Sequence, residues 1–214
     1  RLVAGAFSSN AERSRQAGLA YGVDPERAYG DIDALIAGER ARPDGAELIA
    51  IVTPNHMHFP AAKAALEAGF SVMSDKPATA TLAEALALRD IVAQASGQYG
   101  LTYTYTGYPM VREARERIAA GEIGTPRKIV VEYFQGWLAG VPEQQGNKQA
   151  AWRVDPAQAG MGGCIGDIGV HAFQLAEFVA GSTVVAVNPQ LDSVVEGRSV
   201  DDDQPFDEEA LLAE

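Results

Sequence analysis

Cysteine is almost absent from this sequence: Cys164 is the only one among 214 residues. A disulfide within the chain is therefore excluded, and we expect a protein of a reducing compartment, the cytoplasm. No disulfide or metal is needed for stability, because a chain of this length buries roughly 70% of its extended surface. The length fits one large domain or two small ones.

Basic residues are also few, with 17 Lys and Arg against 29 Asp and Glu and a net charge of −12. Such an acidic chain is poorly suited to nucleic acid or an anionic membrane surface, and we expect neither as a partner. Long apolar runs are missing too. The longest, Leu48–Val52, is far below the ~20 residues of a membrane helix, and Leu2–Phe7 is too short for a signal peptide.

A Gly-x-Gly-x-x-Gly motif is also missing. The glycine-rich stretch at residues 160–169 has a different spacing and does not follow an apolar strand. A backbone loop that cradles a pyrophosphate requires both features. We therefore interpret this stretch as a flexible turn that leads into a helix.

In the first half of the chain, short apolar runs alternate with amphipathic helical stretches. This pattern is typical of a doubly wound, parallel α/β sheet. The predicted strands are Leu2–Phe7, Leu48–Val52, Phe70–Met73 and Leu101–Tyr105. The predicted helices are Ala11–Tyr21, Ala34–Gly38, residues 53–68 and Leu82–Ala95.

The second half has a different pattern. Helices are predicted over Val111–Ala120 and Val170–Val179, and strands over Arg127–Trp137, Val184–Val187 and Val194–Val195. Alternating side chains in Arg127–Trp137 indicate a sheet with one partly exposed face. We place the domain boundary after residue 107.

The tripeptide Asp75-Lys76-Pro77 follows a predicted strand. Open α/β sheets bind their ligands at the carboxyl ends of strands, and a lysine there can donate a hydrogen bond or a proton to a substrate oxygen. An ordinary solvated turn between strand and helix explains the same residues. Both interpretations stay open.

Asp167 and His171 are four residues apart at the start of a predicted helix, a spacing that places both on one face. Such a pair can bind neighbouring hydroxyls and move a proton, because histidine titrates near neutral pH. Alternatively, Asp167 only complements the positive helix N-terminus, and His171 is a packed aromatic residue. Adding Cys164 produces no known zinc spacing, so no metal is expected.

Three further groups are candidates for ligand contacts. His56 and His58 follow a predicted strand and are interpreted as a helix start, which would touch a cofactor only if this sheet binds one. Trp152 with Arg153 offers a ring and a guanidinium to a polyol or carboxylate, or forms an interface anchor with a surface charge. In the place where a dinucleotide site normally has a ribose-binding acid, the sequence has two hydroxyls and a nearby arginine, which suit a 2′-phosphate: Ser8, Ser9 and Arg13. Helix capping explains the serines equally well.

Five stretches, in this order, carry a resemblance to a known family. They are Ala50–His58, Val72–Pro77, Ala119–Gly124, Ala151–Arg153 and Gly162–His171. Together they resemble the glucose–fructose oxidoreductase/inositol dehydrogenase (Gfo/Idh/MocA) family over about residues 1–203.

The resemblance implies a Rossmann-type, dinucleotide-binding domain over residues 1–107, without its first β-α unit. An α/β domain with an open, mostly antiparallel sheet would follow over residues 108–214, for substrate binding and oligomerisation. The implied reaction is NAD(P)-dependent oxidation of a secondary hydroxyl of a sugar, cyclitol or derivative, or the reverse reduction. The parent protein is expected to be a homo-oligomer.

The resemblance also implies roles for single residues. Lys76 would hydrogen-bond the reacting oxygen, His171 would donate or accept the proton, and Asp167 would orient substrate hydroxyls and His171. Further substrate-binding residues would be Tyr105, Trp152 and Arg153. The cofactor would be lined by Thr53, Pro54, Asn55, His58, Asp75, Lys76 and Pro77. Ser8, Ser9 and Arg13 would lie beside the adenosine ribose, which favours NADP over NAD.

Departures from the family lead us to expect a piece of a longer enzyme, cut at both ends. The family's first strand and glycine-rich phosphate loop would precede Arg1, and the acidic sequence after Asp203 no longer resembles the family. Asp75 also stands where the family more usually has glutamate. For the isolated chain we expect weak or absent cofactor binding. The alternative function is a non-catalytic remnant, or a sugar- or nucleotide-binding module without a working cofactor site.

Overall fold

The computed structural model describes residues 1–188 together with residues 190, 195 and 198. The chain divides into two compact units. The first contains residues 1–53 and 57–102, and the second contains residues 54–56 and the chain from residue 103 onward. The roles that the sequence assigns to two domains, with a boundary after residue 107, stay predictions.

A parallel sheet is the centre of the first unit. Its strands are β1 (Leu48–Ile51), β2 (Ser71–Asp75) and β3 (Tyr99–Thr102), in the order β1-β2-β3. The register pairs Ile49 with Val72, and Ser74 with Leu101. The carboxyl ends of these strands therefore lie at one edge. This sheet, with helices between its strands, confirms the predicted α/β class.

The helices of the first unit are α1 (Ala11–Ala20), α2 (Ile32–Arg40), α3 (His58–Glu67) and α4 (Leu82–Gln94). Local sequence sets their ends. Asn10 caps α1 by accepting a hydrogen bond from the Arg13 amide, and Thr81 and Glu84 form a capping box at α4. Gly69, with a φ of +83°, follows α3 in a conformation that L residues rarely adopt. The helix predicted over residues 53–68 thus ends close to the expected place, but the α-helix begins later, at His58, after a 3-10 turn over Asn55–Met57.

The hydrophobic core packs α3 against one face of the sheet. Ala62 and Ala65 of α3 have 0% exposure, and their small side chains let the helix approach the strands closely. The buried core consists of Leu35, Ile49, Ile51, Ala61, Ala62, Ala65, Leu66, Phe70, Val72 and Leu88. This packing holds the ends of β1 and β2 in place.

The strand predicted over Leu2–Phe7 is not formed. Gly5 makes an isolated parallel bridge with Ala28, and its amide donates to the Arg27 carbonyl at 3.1 Å. Two residues later the Phe7 amide donates to the Ser14 hydroxyl at 2.9 Å, which turns the chain toward α1. The prediction was wrong because an apolar run becomes a strand only where a neighbouring backbone accepts successive hydrogen bonds.

The helices of the second unit are α5 (Pro109–Ala119), α6 (Lys148–Arg153), α7 (Pro156–Ala159) and α8 (Val170–Ala180), with a π-helical turn over Ile165–Gly169. These positions confirm the predicted helices at residues 111–120 and 170–179. Across the described part of the chain, no helix has the length and apolar character needed to cross a membrane.

The predicted strands of the second half are not formed within the described residues. Arg127–Trp137 and Val184–Val187 contain neither helix nor strand. Their alternating or β-branched side chains favour strands, but pairing requires a partner at the right distance. None of the described segments pairs with them. Of the predicted Val194–Val195 strand, Val194 lies outside the described residues.

A buried ion pair joins α2 to the chain that precedes it. The Glu39 carboxylate, with 0% of its side chain exposed, accepts hydrogen bonds from Arg27 through Nε at 3.0 Å and through Nη2. It also accepts from the Tyr29 hydroxyl at 2.9 Å and the Ala46 amide at 2.8 Å. Burial alone would raise the pKa of Glu39, but the hydrogen bonds from Arg27, Ala46 and Tyr29 outweigh it and lower this pKa below its ordinary value.

Glu39→Gln should lower the free energy of unfolding by about 3–5 kcal/mol, because it leaves a buried guanidinium without its counter-charge. Chemical denaturation measures the loss. Asp44→Asn is the matched control: Asp44 pairs with the same arginine at 3.3 Å, but 63% of its side chain is exposed. Its expected loss is about 1 kcal/mol or less. Equal losses in the two variants would contradict the dominant role of the buried pair.

The Arg27–Glu39 pair also predicts how the difference in free energy of unfolding between the wild-type protein and Glu39→Gln depends on pH. The stabilisation from Glu39 is fully present above its pKa in the unfolded state and is lost as the pH falls through the lower pKa of the folded state. The wild-type protein should therefore lose stability below about pH 4.5, the ordinary value for this carboxyl, more steeply than Glu39→Gln does. If the free energies of unfolding of the two proteins fall in parallel as the pH is lowered, the contribution of the ionised Glu39 is contradicted.

Candidate functional site

Polar side chains gather at the carboxyl ends of β2 and β3. Asp75 is the last residue of β2, and its Oδ1 accepts a hydrogen bond of 2.8 Å from the hydroxyl of Thr102, the last residue of β3. Lys76 follows, half-buried, and its peptide bond to Pro77 is cis. The structure thus places the predicted tripeptide at the edge of the sheet where α/β proteins bind ligands.

His58 links the ends of β1 and β2. Its Nδ1 lies 2.7 Å from the Pro77 carbonyl oxygen and its Nε2 lies 2.8 Å from the Thr53 carbonyl oxygen. The residue is 1% exposed. Both ring nitrogens are therefore engaged with the backbone of the loops, and this geometry gives His58 a structural role. Its predicted contact with a cofactor stays a prediction.

The segment 54–56 belongs to the second unit and contacts α7. The buried Asn55 donates through Nδ2 to the Ala159 carbonyl at 2.7 Å. His56 lies beside it, with its Nδ1 at 3.4 Å from the Gln158 carbonyl. Pro54 is half-buried. The Asn55 amide thus positions this loop.

The N-terminus of α1 displays the predicted ribose-site residues. Asn10, rather than either serine, caps the helix. Ser8 is half-buried and accepts a hydrogen bond of 3.2 Å from the Asn10 amide, whereas Ser9 and Arg13 are exposed. A hydroxyl and a guanidinium at a helix N-terminus can bind an anion, because the helix dipole is positive there.

His171 lies in the first turn of α8 and is 8% exposed. Its ring packs edge-to-face against Tyr105, with centroids 4.7 Å apart, and against Tyr103, at 5.9 Å. Asp167 lies in the preceding π-helical turn. The α-helical spacing used to place Asp167 and His171 on one face therefore does not describe this segment, because a π turn holds more residues. Such turns are frequent at functional sites.

Arg153 contacts two other predicted substrate residues, Trp152 and Asp167. Its Nε lies 3.5 Å from Oδ2 of Asp167, and its guanidinium stacks 4.1 Å from the centre of the Trp152 ring. Its Nη1 donates to Oε1 of Gln149 at 2.8 Å. The structure thus brings Trp152, Arg153 and Asp167 together, with a carboxylate oriented by a planar cation.

Tyr133 is a neighbour of this site that the sequence did not identify. Its hydroxyl forms a hydrogen bond with the Tyr105 hydroxyl. The pKa of Tyr105 is raised to about 12, mainly by this hydrogen bond and then by burial and nearby negative charge. Asp167 is one of the groups that contribute this charge. The only sequence signal was the position of Tyr133 in the alternating segment 127–137, which we interpreted as a strand.

Metal-binding side chains do not converge in the described part of the chain. Within it, no group of three or more His, Cys, Asp or Glu residues could hold an ion. Cys164 is exposed.

Comparison with known families decides which family this chain belongs to. Residues 2–103 match the family described as "Oxidoreductase family, NAD-binding Rossmann fold", and residues 111–206 match the "GFO/IDH/MocA C-terminal domain". The chain belongs to the Gfo/Idh/MocA family of oxidoreductases. The predicted resemblance is confirmed, and the first unit is a Rossmann-like, NAD-binding fold.

Similar proteins are known among both sequences and structures. The chain is 36% identical over 179 residues to the uncharacterized oxidoreductase YfiI of Bacillus subtilis. The matched region covers 84% of the chain and 46% of that protein. Two crystal structures of inositol dehydrogenase homologues from Azotobacter vinelandii each cover 84% of the chain. The NAD+ complex has 41% identity and a TM-score of 0.81, and the match covers 46% of that chain. The complex with NADH and myo-inositol has 38% identity and a TM-score of 0.76, and the match covers 45% of that chain. The chain thus spans about half the length of these relatives.

The first unit of this Gfo/Idh/MocA chain offers donors that fit a nicotinamide dinucleotide. Ser9 and Arg13 provide hydroxyl and guanidinium donors at the α1 N-terminus, where a ribose or its phosphate can bind. Thr53 and Lys76 provide polar groups at the strand ends. These residues would hold the two ends of the cofactor.

His58→Ala should lower the free energy of unfolding by about 2 kcal/mol or more, because it removes a buried ring together with the hydrogen bond that its N–H donates to a loop carbonyl. Chemical denaturation measures this loss. His56→Ala is the control, since His56 is half-buried with one long contact, and it should cost less than about 1 kcal/mol. If His58→Ala is as stable as His56→Ala, the link between the strand ends is not a significant constraint.

Proposed function

We propose that the whole protein is an NAD(P)-dependent oxidoreductase. It transfers a hydride between nicotinamide and a secondary hydroxyl or ketone of a sugar, cyclitol or derivative. The main support from the structure is the ion pair of Asp167 with Arg153 over the Trp152 ring, within a chain of this oxidoreductase family. The similar structure with bound NADH and myo-inositol supports a nicotinamide cofactor and a polyol-class substrate.

Asp167 and Arg153 are proposed to recognise substrate hydroxyls. A carboxylate accepts hydrogen bonds from hydroxyls, and a guanidinium donates to their oxygens. The Trp152 ring offers an apolar surface beside these charges, as suits the C–H face of a sugar or cyclitol. Only 22% of the Asp167 side chain and 25% of the Arg153 side chain are exposed, so their orientation is restricted before a substrate binds.

His171 is proposed to accept the hydroxyl proton during oxidation and to return it during reduction. An imidazole suits both steps because it titrates near neutral pH. Two tyrosine rings pack against it and limit its orientation. Lys76 is proposed to hydrogen-bond the reacting oxygen, because an ammonium stabilises the negative charge that develops there. When bound, the nicotinamide supplies or accepts the hydride.

The proposed cofactor preference is NADP. At the N-terminus of α1, Ser9 and the Arg13 guanidinium are exposed and can contact a 2′-phosphate. NAD has no phosphate at this position, so Arg13 would contribute less to its binding. Oligomerisation of the whole protein stays a proposal.

Lys76→Ala in the whole protein should lower kcat by about two orders of magnitude or more, the scale of a positioned acid–base or electrostatic group. Steady-state assays with a panel of sugars and cyclitols measure it. Lys63→Ala removes an exposed lysine of α3, whose Nζ lies 3.9 Å from Glu67, and should leave kcat unchanged.

Near-normal kcat in Lys76→Ala would exclude the role of Lys76. If the wild-type protein binds a sugar but oxidises none, the alternative of a binding module replaces the proposed enzyme.

Arg13→Ala should raise the Kd for NADPH by at least about tenfold and leave the Kd for NADH nearly unchanged, because one charge-assisted contact with a phosphate is worth about 1.5–3 kcal/mol. Fluorescence titration of the whole protein with each nucleotide measures both constants. Arg15→Ala is the matched control, since Arg15 pairs with Glu12 at 2.5 Å on the same helix. Equal effects of Arg13→Ala on both nucleotides would contradict the NADP preference.

A further inference from the structure

Two tyrosines connect His171 to a distant part of the second unit. The Tyr105 ring packs edge-to-face on the imidazole, with centroids 4.7 Å apart and an interplanar angle of 77°. The Tyr105 hydroxyl forms a hydrogen bond with the Tyr133 hydroxyl, and the two rings lie 5.7 Å apart. A continuous series of contacts therefore runs from Tyr133 through Tyr105 to His171.

Tyr105 needs support to hold this position. It lies in the short 3-10 turn Thr104–Gly107, and its side chain is half-buried. An edge-to-face pair contributes only about 0.5–1.5 kcal/mol, so the ring contact with His171 alone does not restrict Tyr105 strongly. The hydrogen bond to Tyr133 adds a second restraint of similar size at the far end of the Tyr105 side chain. Rotation of the Tyr105 ring away from His171 would break that bond.

The surroundings of the pair are polar and acidic. Asp167, the proposed partner of substrate hydroxyls, acts electrostatically on Tyr105, as does Tyr108. The Tyr108 ring lies 6.0 Å from that of Tyr105. Tyr133 itself is 40% exposed, so its fixed orientation comes from the hydroxyl bond more than from packing.

We propose that Tyr133 is a positioning residue for His171 and acts through the hydroxyl of Tyr105. The hydroxyl pair holds the Tyr105 ring against the imidazole, and the imidazole is thereby kept in the orientation needed for proton transfer. This inference rests on the proposed dehydrogenase function for its catalytic consequence. Its structural part, the effect of Tyr133 on the His171 ring, does not depend on that function.

The decisive variant is Tyr133→Phe, which removes one hydroxyl and keeps the ring. In the whole protein, kcat should fall about tenfold, because misplaced catalytic groups lose rate steeply. KM for the substrate should change less than about twofold. Tyr108→Phe is the matched control: its ring also contacts Tyr105, but its hydroxyl is outside the Tyr105–Tyr133 pair, so kcat should be unchanged.

Tyr105→Phe tests the same bond from the other side. It should lower kcat by a similar factor, and the double variant Tyr105→Phe/Tyr133→Phe should lose no more than either single variant, because both remove one interaction. Additive losses would overturn the proposal. A rise in KM with unchanged kcat would also overturn it, because Tyr133 would then contact substrate rather than position His171.

Nuclear magnetic resonance of 15N-labelled histidine separates this inference from the proposed function. The sequence contains three histidines, and a His171→Asn variant assigns the signals of interest. Tyr133→Phe should shift the ring-nitrogen resonances of His171 and leave those of His56 and His58 in place. If the protein proves to have no dehydrogenase activity, this measurement alone decides: a shift supports positioning, and unmoved resonances overturn it.

Discussion

The buried imidazole of His58 is the constraint on which the strand-end part of the site depends. It lies between the carbonyl oxygens of Thr53 and Pro77, one from each of two neighbouring loops. A buried imidazole whose N–H has no acceptor is costly, so these loops stay where their carbonyl oxygens can reach His58. Lys76, the residue before Pro77, is thereby kept at the carboxyl end of β2. The core packing of α3, which begins at His58, holds the imidazole itself.

Two arginine–carboxylate pairs of this protein, Arg27–Glu39 and Arg153–Asp167, differ in solvent access and therefore in what they can do. Glu39 is fully buried and bonded on all sides by Arg27, Tyr29 and a backbone amide, so no site is left for a ligand. Asp167 pairs more loosely with Arg153, at 3.5 Å, and both side chains stay partly exposed. The first arrangement supports the fold. The second retains acceptor and donor capacity, which is what recognition of hydroxyls requires.

Local chemistry made much of the first half predictable. The Thr81–Glu84 capping box and Gly69 act within one turn of a helix. The apolar run at β1 pairs in parallel with β2, the strand that ends at Asp75 and is followed by Lys76. The predicted strands Leu2–Phe7 and Arg127–Trp137 were wrong for one reason. Their composition favours strands, but hydrogen-bond partners come from elsewhere in the chain, and a single segment carries no information about them.

The sequence by itself determined the family, the parallel α/β order of the first unit and the residue types of the candidate site. These features depend on short-range spacing, that is, on strand, turn and helix following one another along the chain. Lys76 follows the strand β2, and His171 lies in the first turn of the helix α8. Only the tertiary structure decided how the side chains are used. It engaged both nitrogens of His58 with backbone, placed Asp167 in a π turn beside Arg153, and joined Tyr133 to Tyr105. Most of these contacts join different elements of the chain, and their geometry is set by packing, which the order of residue types does not specify.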